Sequence, residues 1–119
     1  MTTRFANRGR ARHEARPGRR ALVAPDLTEL HGPTSGIVEL PHRLFWYPDR
    51  HFNLDDPAYL QWMYQIVLRE AVTIEELRAW INGDLLTRLW PNLHLPRAVR
   101  RAWEERHQIL RSTRPHAVS

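Results

Sequence analysis

What most restricts this chain is its punctuation between Asp55 and Pro96, where start and stop signals for helices follow one another too closely for any long element. Asp56 before Pro57 reads as an N-cap with proline at the first helical position, where a missing N–H is no loss. The helix it opens runs to about Glu70. Thr73-Ile74-Glu75-Glu76 fits a capping box, Thr73 as cap and Glu76 reaching back, and Gly83 after Asn82 is a stop, which predicts a second helix over 74–82. Asp84 caps a short third helix through Leu85, Leu86, Leu89 and Trp90, closed by Pro91. Pro96 opens a fourth that reaches about Leu110, with Val99, Ala102, Trp103, Ile109 and Leu110 on one side. The predicted fold is mainly α, a small bundle of about four short helices.

An extended aromatic arm precedes the bundle. Ile37, Val38 and Leu40 lead into Leu44-Phe45-Trp46-Tyr47-Pro48, and Pro41 and Pro48 confine any short strand there to a sheet edge. Residues 1–35 mix Arg, Gly, Pro and Thr with few apolar side chains, a composition that cannot offset chain entropy by burial, so they read as a disordered basic tail. Residues 111–119 read as a frayed C-terminus.

The first helix is apolar over most of its circumference. Leu60, Tyr64, Val67, Leu68 and Ala71 form one face and Tyr59, Trp62, Met63 and Ile66 a second beside it, with Gln61, Gln65 and Arg69 as the polar stripe. A helix of this kind must be buried from two directions, whereas a helical body of roughly 55 residues offers one and rarely yields more than ~3–5 kcal/mol by itself. Two readings stay open: Tyr59 and Trp62 pack beneath Phe45-Trp46-Tyr47, or these aromatics with Met63 and Ile66 form a docking face for another protein. Trp80, Trp90 and Trp103 fall among aliphatic neighbours and read as core.

The formal charge of +5 is unevenly placed. Residues 1–20 hold seven arginines against Glu14, a net +6, which leaves the rest of the chain at −1. A globular protein that coats nucleic acid with its folded surface is thereby disfavoured. Arg4, Arg8, Arg12, Arg16 and Arg20 recur every fourth residue and would line one side of an induced helix, which makes the tail the candidate contact with nucleic acid; Gly9, Pro17 and Gly18 oppose such a helix. On the fourth helix Arg100 faces Glu104 and Arg101 faces Glu105, so that surface reads as solvated and self-neutralised. Trp46 and Trp62 could stack on bases, but their neighbours Asp49, Asp55 and Asp56 would repel phosphate.

No catalytic pattern is present. The seven histidines are scattered without metal-ligand spacing, there are no cysteines, and no phosphate-binding glycine loop or nucleophile elbow occurs. His51 with Asp55 and Asp56 is explained by helix capping. The chain therefore reads as a non-enzyme without metal or cofactor, and with no apolar run of about 18–20 residues it reads as a cytoplasmic protein away from membranes.

The segments Phe52-Asn53-Leu54-Asp55-Asp56-Pro57 and Ile66-Val67-Leu68-Arg69-Glu70, then the run from Leu85-Leu86-Thr87-Arg88-Leu89-Trp90-Pro91 through Asn92-Leu93-His94-Leu95-Pro96 to Arg97-Ala98-Val99-Arg100-Arg101-Ala102-Trp103, resemble small actinobacterial antitoxins of AbiEii/MenT-type nucleotidyltransferase toxin–antitoxin systems. The resemblance spans residues 36–110, which would then be a helical toxin-binding domain. It implies a MenA-type antitoxin that neutralises, in a hetero-oligomer, a cognate toxin transferring nucleotides to tRNA. Larger antitoxins of these systems carry a winged-helix DNA-binding domain, for which this chain has no counterpart. The resemblance supplies no residue roles, so the partner-binding candidates Phe45, Trp46, Tyr47, Tyr59, Trp62, Met63 and Ile66 rest on the aromatic faces alone. The alternative is a small nucleic-acid regulator in which the second and third helices form a helix-turn-helix and the arginine tail an arm, although the reading helix offers base edges only Thr87 and Arg88.

Overall fold

The longest helix, α1 (Pro57–Glu70), starts as its Asp-Pro pair requires. The Asp56 carboxylate accepts from the Ala58 amide at 2.9 Å, with Pro57 in the first turn. The second, α2 (Ile74–Trp80), opens on a complete capping box, in which the Thr73 hydroxyl accepts from the Glu76 amide at 3.2 Å and the Glu76 carboxylate from Thr73 N at 3.4 Å. Then come α3 (Gly83–Leu89), a 3₁₀ turn (Trp90–Asn92), α4 (Arg97–Arg106) and α5 (Gln108–Arg111). The computed structural model describes residues 21–111, and about 53% of them are helical, so the chain is mainly α. Beside the helices, the described residues form a small antiparallel ribbon of β1 (Ile37–Glu39) and β2 (His51–Asn53), with Val38 opposite the buried Phe52. The second strand carries no strand signal beyond that single alternation.

Residues 21–35 depart from the disorder expected of the basic tail. A 3₁₀ turn at Leu27–Glu29 has its own capping box at Asp26, Ala24 and Leu30 are buried, and Leu22, Val23 and Leu27 pack against the core. The backbone finds partners far along the chain: Gly32 N donates to Ile81 O at 2.8 Å and Gly83 N to Leu30 O at 3.0 Å, on either side of a bridge between His31 and Asn82. Composition counts apolar residues in a segment and takes no account of a groove that such a segment can fill. Arg4, Arg8, Arg12, Arg16 and Arg20, and the expected C-terminal fraying beyond Arg111, lie outside the described residues.

The same junction corrects the reading of Gly83. It does not end α2; it is the first residue of α3, whose cap is Asn82 rather than Asp84, the Asn82 side-chain oxygen accepting from Leu85 N at 3.0 Å. Glycine is required here by proximity, because a Cβ at this position would lie 2.2 Å from the Leu27 carbonyl oxygen. On helix propensity alone Gly83→Ala should stabilise by ~1 kcal/mol. The backbone contact reverses the sign: the variant is expected to lose ~1–3 kcal/mol in thermal or urea unfolding. A variant more stable than wild type would mean that Leu27 does not pack there.

The fourth predicted helix is broken at His107, whose extended backbone separates α4 from α5. There the imidazole Nε2 donates to the Ala24 carbonyl at 2.7 Å, and Arg106 donates to the Pro25 carbonyl at 3.0 and 3.2 Å. Trp90 and Trp103 are fully buried as predicted, whereas Trp80 is half-buried at the edge. Tyr64 lies in the core, where burial pushes its phenol up to about 12, while its oxygen accepts from Asn82 N at 3.0 Å.

The arm is pinned to the α1–α2 junction through Arg43, which reaches Glu76 at 2.6 and 3.0 Å and the Glu70 carbonyl at 2.8 Å. Burial raises the Glu76 carboxyl, but the Arg43 bond and the Val72 and Thr73 amides outweigh it and hold the group below its ordinary value. A carboxyl depressed on folding contributes its stability above the unfolded value, and that contribution fades as pH falls through the folded value. Wild type and Glu76→Gln should thus differ in melting temperature at neutral pH and converge below about pH 4.3. A difference unchanged on acidification would remove Glu76 as the pin.

Candidate protein-binding surface

The arm is shaped by a tight turn. Leu44 N and Phe45 N both donate to the Pro41 carbonyl, at 3.0 and 3.1 Å, which carries Leu44 into the core and lays Phe45 over the first turns of α1. Phe45 meets Trp62 edge-on at 5.4 Å and Phe52 at 5.5 Å, and Tyr47 stacks on Phe45 at 4.6 Å with 15° between planes. Tyr59 is 6.1 Å from Trp62, and Trp46 6.2 Å from Tyr47. The result is a ledge of rings: Trp46 is 77% exposed, Tyr47 59%, Trp62 44% and Tyr59 42%. Contiguous exposed aromatic area on this scale is characteristic of interaction sites.

Two of the seven predicted contact residues are not on the ledge. Met63 and Ile66 are buried, at 0% and 1% exposure, and belong to the core. The second covering layer that α1 needs comes from within the chain, where the ribbon and arm bring Leu40, Leu44, Phe52 and Leu54 into the same cluster. Helical periodicity sees two apolar faces but does not see that a ribbon from before the helix closes one of them. For Tyr59 and Trp62 both readings hold in part, since the arm packs on them and leaves each about half uncovered.

The ledge has an acidic border. The Asp49 carboxylate accepts from His51 N at 3.1 Å and lies 3.2 Å from His51 Nδ1, and these bonds hold it below the usual carboxylate range. Asp55 accepts from Gly36 N at 3.2 Å, and Asp56 caps α1. Among the described residues, none of the three is ion-paired with an arginine. His51 turns to Asp49 and not to Asp55 or Asp56, and no group of three or more potential metal ligands occurs among the described residues. No described helix is long and apolar enough to cross a membrane.

On α4 the predicted surface pairs take a different form. Arg100 and Glu104 do pair, at 3.4 Å, but the Glu104 side chain is only 9% exposed and also accepts from the Trp90 indole N–H at 2.8 Å. Arg100 lies 4.9 Å over the Trp90 ring and donates to the Trp90 and Leu93 carbonyls. The pair is an internal brace that ties the Trp90–Asn92 turn to α4, not a solvated pair. Arg101 and Glu105 do not come within ion-pair distance. On α3 the Thr87 hydroxyl donates to the Gly83 carbonyl at 3.0 Å, which leaves Arg88 to read bases in the helix-turn-helix alternative.

Compared with family models, with curated proteins and with solved structures, the chain matches none.

Proposed function

We propose that this chain is an antitoxin that neutralises a nucleotidyltransferase toxin by direct binding, with Trp46, Tyr47, Tyr59 and Trp62 as the contact residues and Phe45 as their support. The observation that carries the reading is the ledge itself, four large rings left uncovered side by side, whereas Phe52, Tyr64, Trp90 and Trp103 are buried. Truncation of large aromatic side chains dominates the losses found at protein interfaces. The identity of the partner comes from the sequence resemblance, and the mode of binding from the ledge. In this reading the chain does no chemistry. It occupies or distorts the toxin in a hetero-oligomer formed in the cytoplasm, where tRNA is the toxin's substrate. The helix-turn-helix alternative draws no comparable support, since α3 presents Asp84 and Arg88 to the outside and little else that is polar.

The test is co-expression with a nucleotidyltransferase toxin of this class from the same genome, followed by size-exclusion chromatography. A single peak containing both proteins is expected. Separate elution at micromolar concentration would rule out direct inhibition.

A further inference from the structure

We infer that the occupant of the aromatic ledge is an arginine-bearing segment of the partner protein, laid across Trp46, Tyr47 and Trp62 with its guanidinium groups at Asp49 and Asp55. The inference rests on the ledge being the protein-contact surface and adds the chemistry of what covers it. Two features converge there. The first is the rings. Trp46, Tyr47, Tyr59 and Trp62 lie exposed in neighbouring positions, and no arginine among the described residues lies over any of them. The face of such a ring attracts a cation, tryptophan most strongly, and a guanidinium also stacks on it as a plane. The second feature is charge. Along residues 36–66, Arg43 and Arg50 stand against Glu39, Asp49, Asp55 and Asp56, and both arginines are engaged, Arg43 by Glu76 and Arg50 by Glu39. Asp56 is occupied in capping α1, where the helix N-terminus offsets its charge. Asp49 and Asp55 are exposed, and each uses a single carboxylate oxygen within the chain, toward His51 and toward Gly36. The other oxygen of each accepts no hydrogen bond among the described residues.

The chain contains the same arrangement in its interior. Arg100 lies 4.9 Å over the Trp90 ring and pairs with Glu104 at 3.4 Å, so that ring, guanidinium and carboxylate form one unit. On the ledge this chain supplies rings and carboxylates, and the partner supplies the guanidinium. Other occupants fit less well. Nucleic acid would stack bases on the rings, but Asp49 and Asp55 repel its phosphates. A purely apolar helix or a proline-rich segment would cover the rings and desolvate the two carboxylates without a counter-charge. A lysine satisfies the charge but not the planar stacking. An arginine side chain does both, its methylenes on the rings and its fork at a carboxylate.

The test uses the full chain and a labelled Gly-Ser peptide with spaced arginines, beside the same peptide with lysine or glutamine in their place, in fluorescence anisotropy at about 10 mM and about 150 mM salt. Binding is expected to fall in the order arginine, lysine, glutamine, and to weaken as salt rises. Each exposed charge pair accounts for about two- to fivefold, so Asp49→Asn with Asp55→Asn should weaken arginine-peptide binding by about tenfold at low salt and remove most of its salt dependence. Asparagine keeps a side-chain oxygen for His51 N and Gly36 N, so the fold is retained, which circular dichroism checks. Trp46→Ala should weaken peptide binding by about two- to fivefold through the lost ring. Equal binding of arginine and glutamine peptides, or binding unchanged in both variants, would overturn the inference. So would self-association of the chain that Trp46→Ala abolishes, since the occupant would then be a second copy. The toxin complex is measured in parallel. A complex that forms but is indifferent to salt and to the two Asp→Asn changes overturns the arginine-bearing occupant and leaves the antitoxin reading standing. Arginine-selective peptide binding without a toxin complex does the reverse.

Discussion

Trp90→Ala should remove most of the stability of this protein. The side chain is fully buried, packs at 6.3 Å from the Trp103 ring, and satisfies the buried Glu104 carboxylate through its indole N–H at 2.8 Å. Loss of a buried tryptophan costs ~3–5 kcal/mol through lost burial and the cavity left behind. Loss of this hydrogen bond to a largely buried carboxylate, which Arg100 also meets at 3.4 Å, adds ~1–3 kcal/mol. Against the ~5–15 kcal/mol typical of whole domains, the variant should be substantially unfolded at ordinary temperature, by circular dichroism and by the urea midpoint. A loss below ~1 kcal/mol would show that the brace between the Trp90–Asn92 turn and α4 contributes little. The two buried tryptophans differ in a testable way, because Trp103 Nε1 has no hydrogen-bond partner among the described residues. Trp103→Phe removes an unsatisfied donor, while Trp90→Phe removes a satisfied one. The Trp90 variant should therefore be the less stable by ~1–3 kcal/mol.

Trp46→Ala is the sharpest test of the ledge. At 77% exposure, with one tilted ring contact to Tyr47, this side chain adds little to the fold, and its removal should change unfolding stability by no more than ~0.5 kcal/mol. If it anchors the toxin, the same truncation should cost ~2–4 kcal/mol of binding, a factor of roughly 30–1,000 in affinity by calorimetry. Unchanged affinity would remove the arm from the interface. Trp62→Ala is less discriminating, because Trp62 supports Phe45 and Phe52 at 5.4 and 5.3 Å, and its loss would disturb the arm as well as the contact. Wild-type stability together with lost protection at Trp46, and lowered stability at Trp62, is the pattern expected of a supported ledge.

Much of the fold was legible residue by residue. Asp56-Pro57 and Thr73-Glu76 mark helix starts through bonds that span two or three residues, so the local sequence holds every atom they need. The burial of Trp90 and Trp103 was legible for a similar reason: large apolar side chains on short helices with aliphatic neighbours have few other places to go. Tertiary structure alone decided the rest. It ordered residues 21–35 through hydrogen bonds as distant in sequence as Arg106 to Pro25, turned Gly83 from a stop into a point of backbone contact, and moved Glu104 from the surface to the interior. It also divided the apolar faces of α1, burying Met63 and Ile66 in the core and leaving Tyr59 and Trp62 half open. The reason is physical: a cap is a short-range bond between neighbours, whereas burial depends on which distant segment comes to cover a face, and no window of local sequence contains that segment.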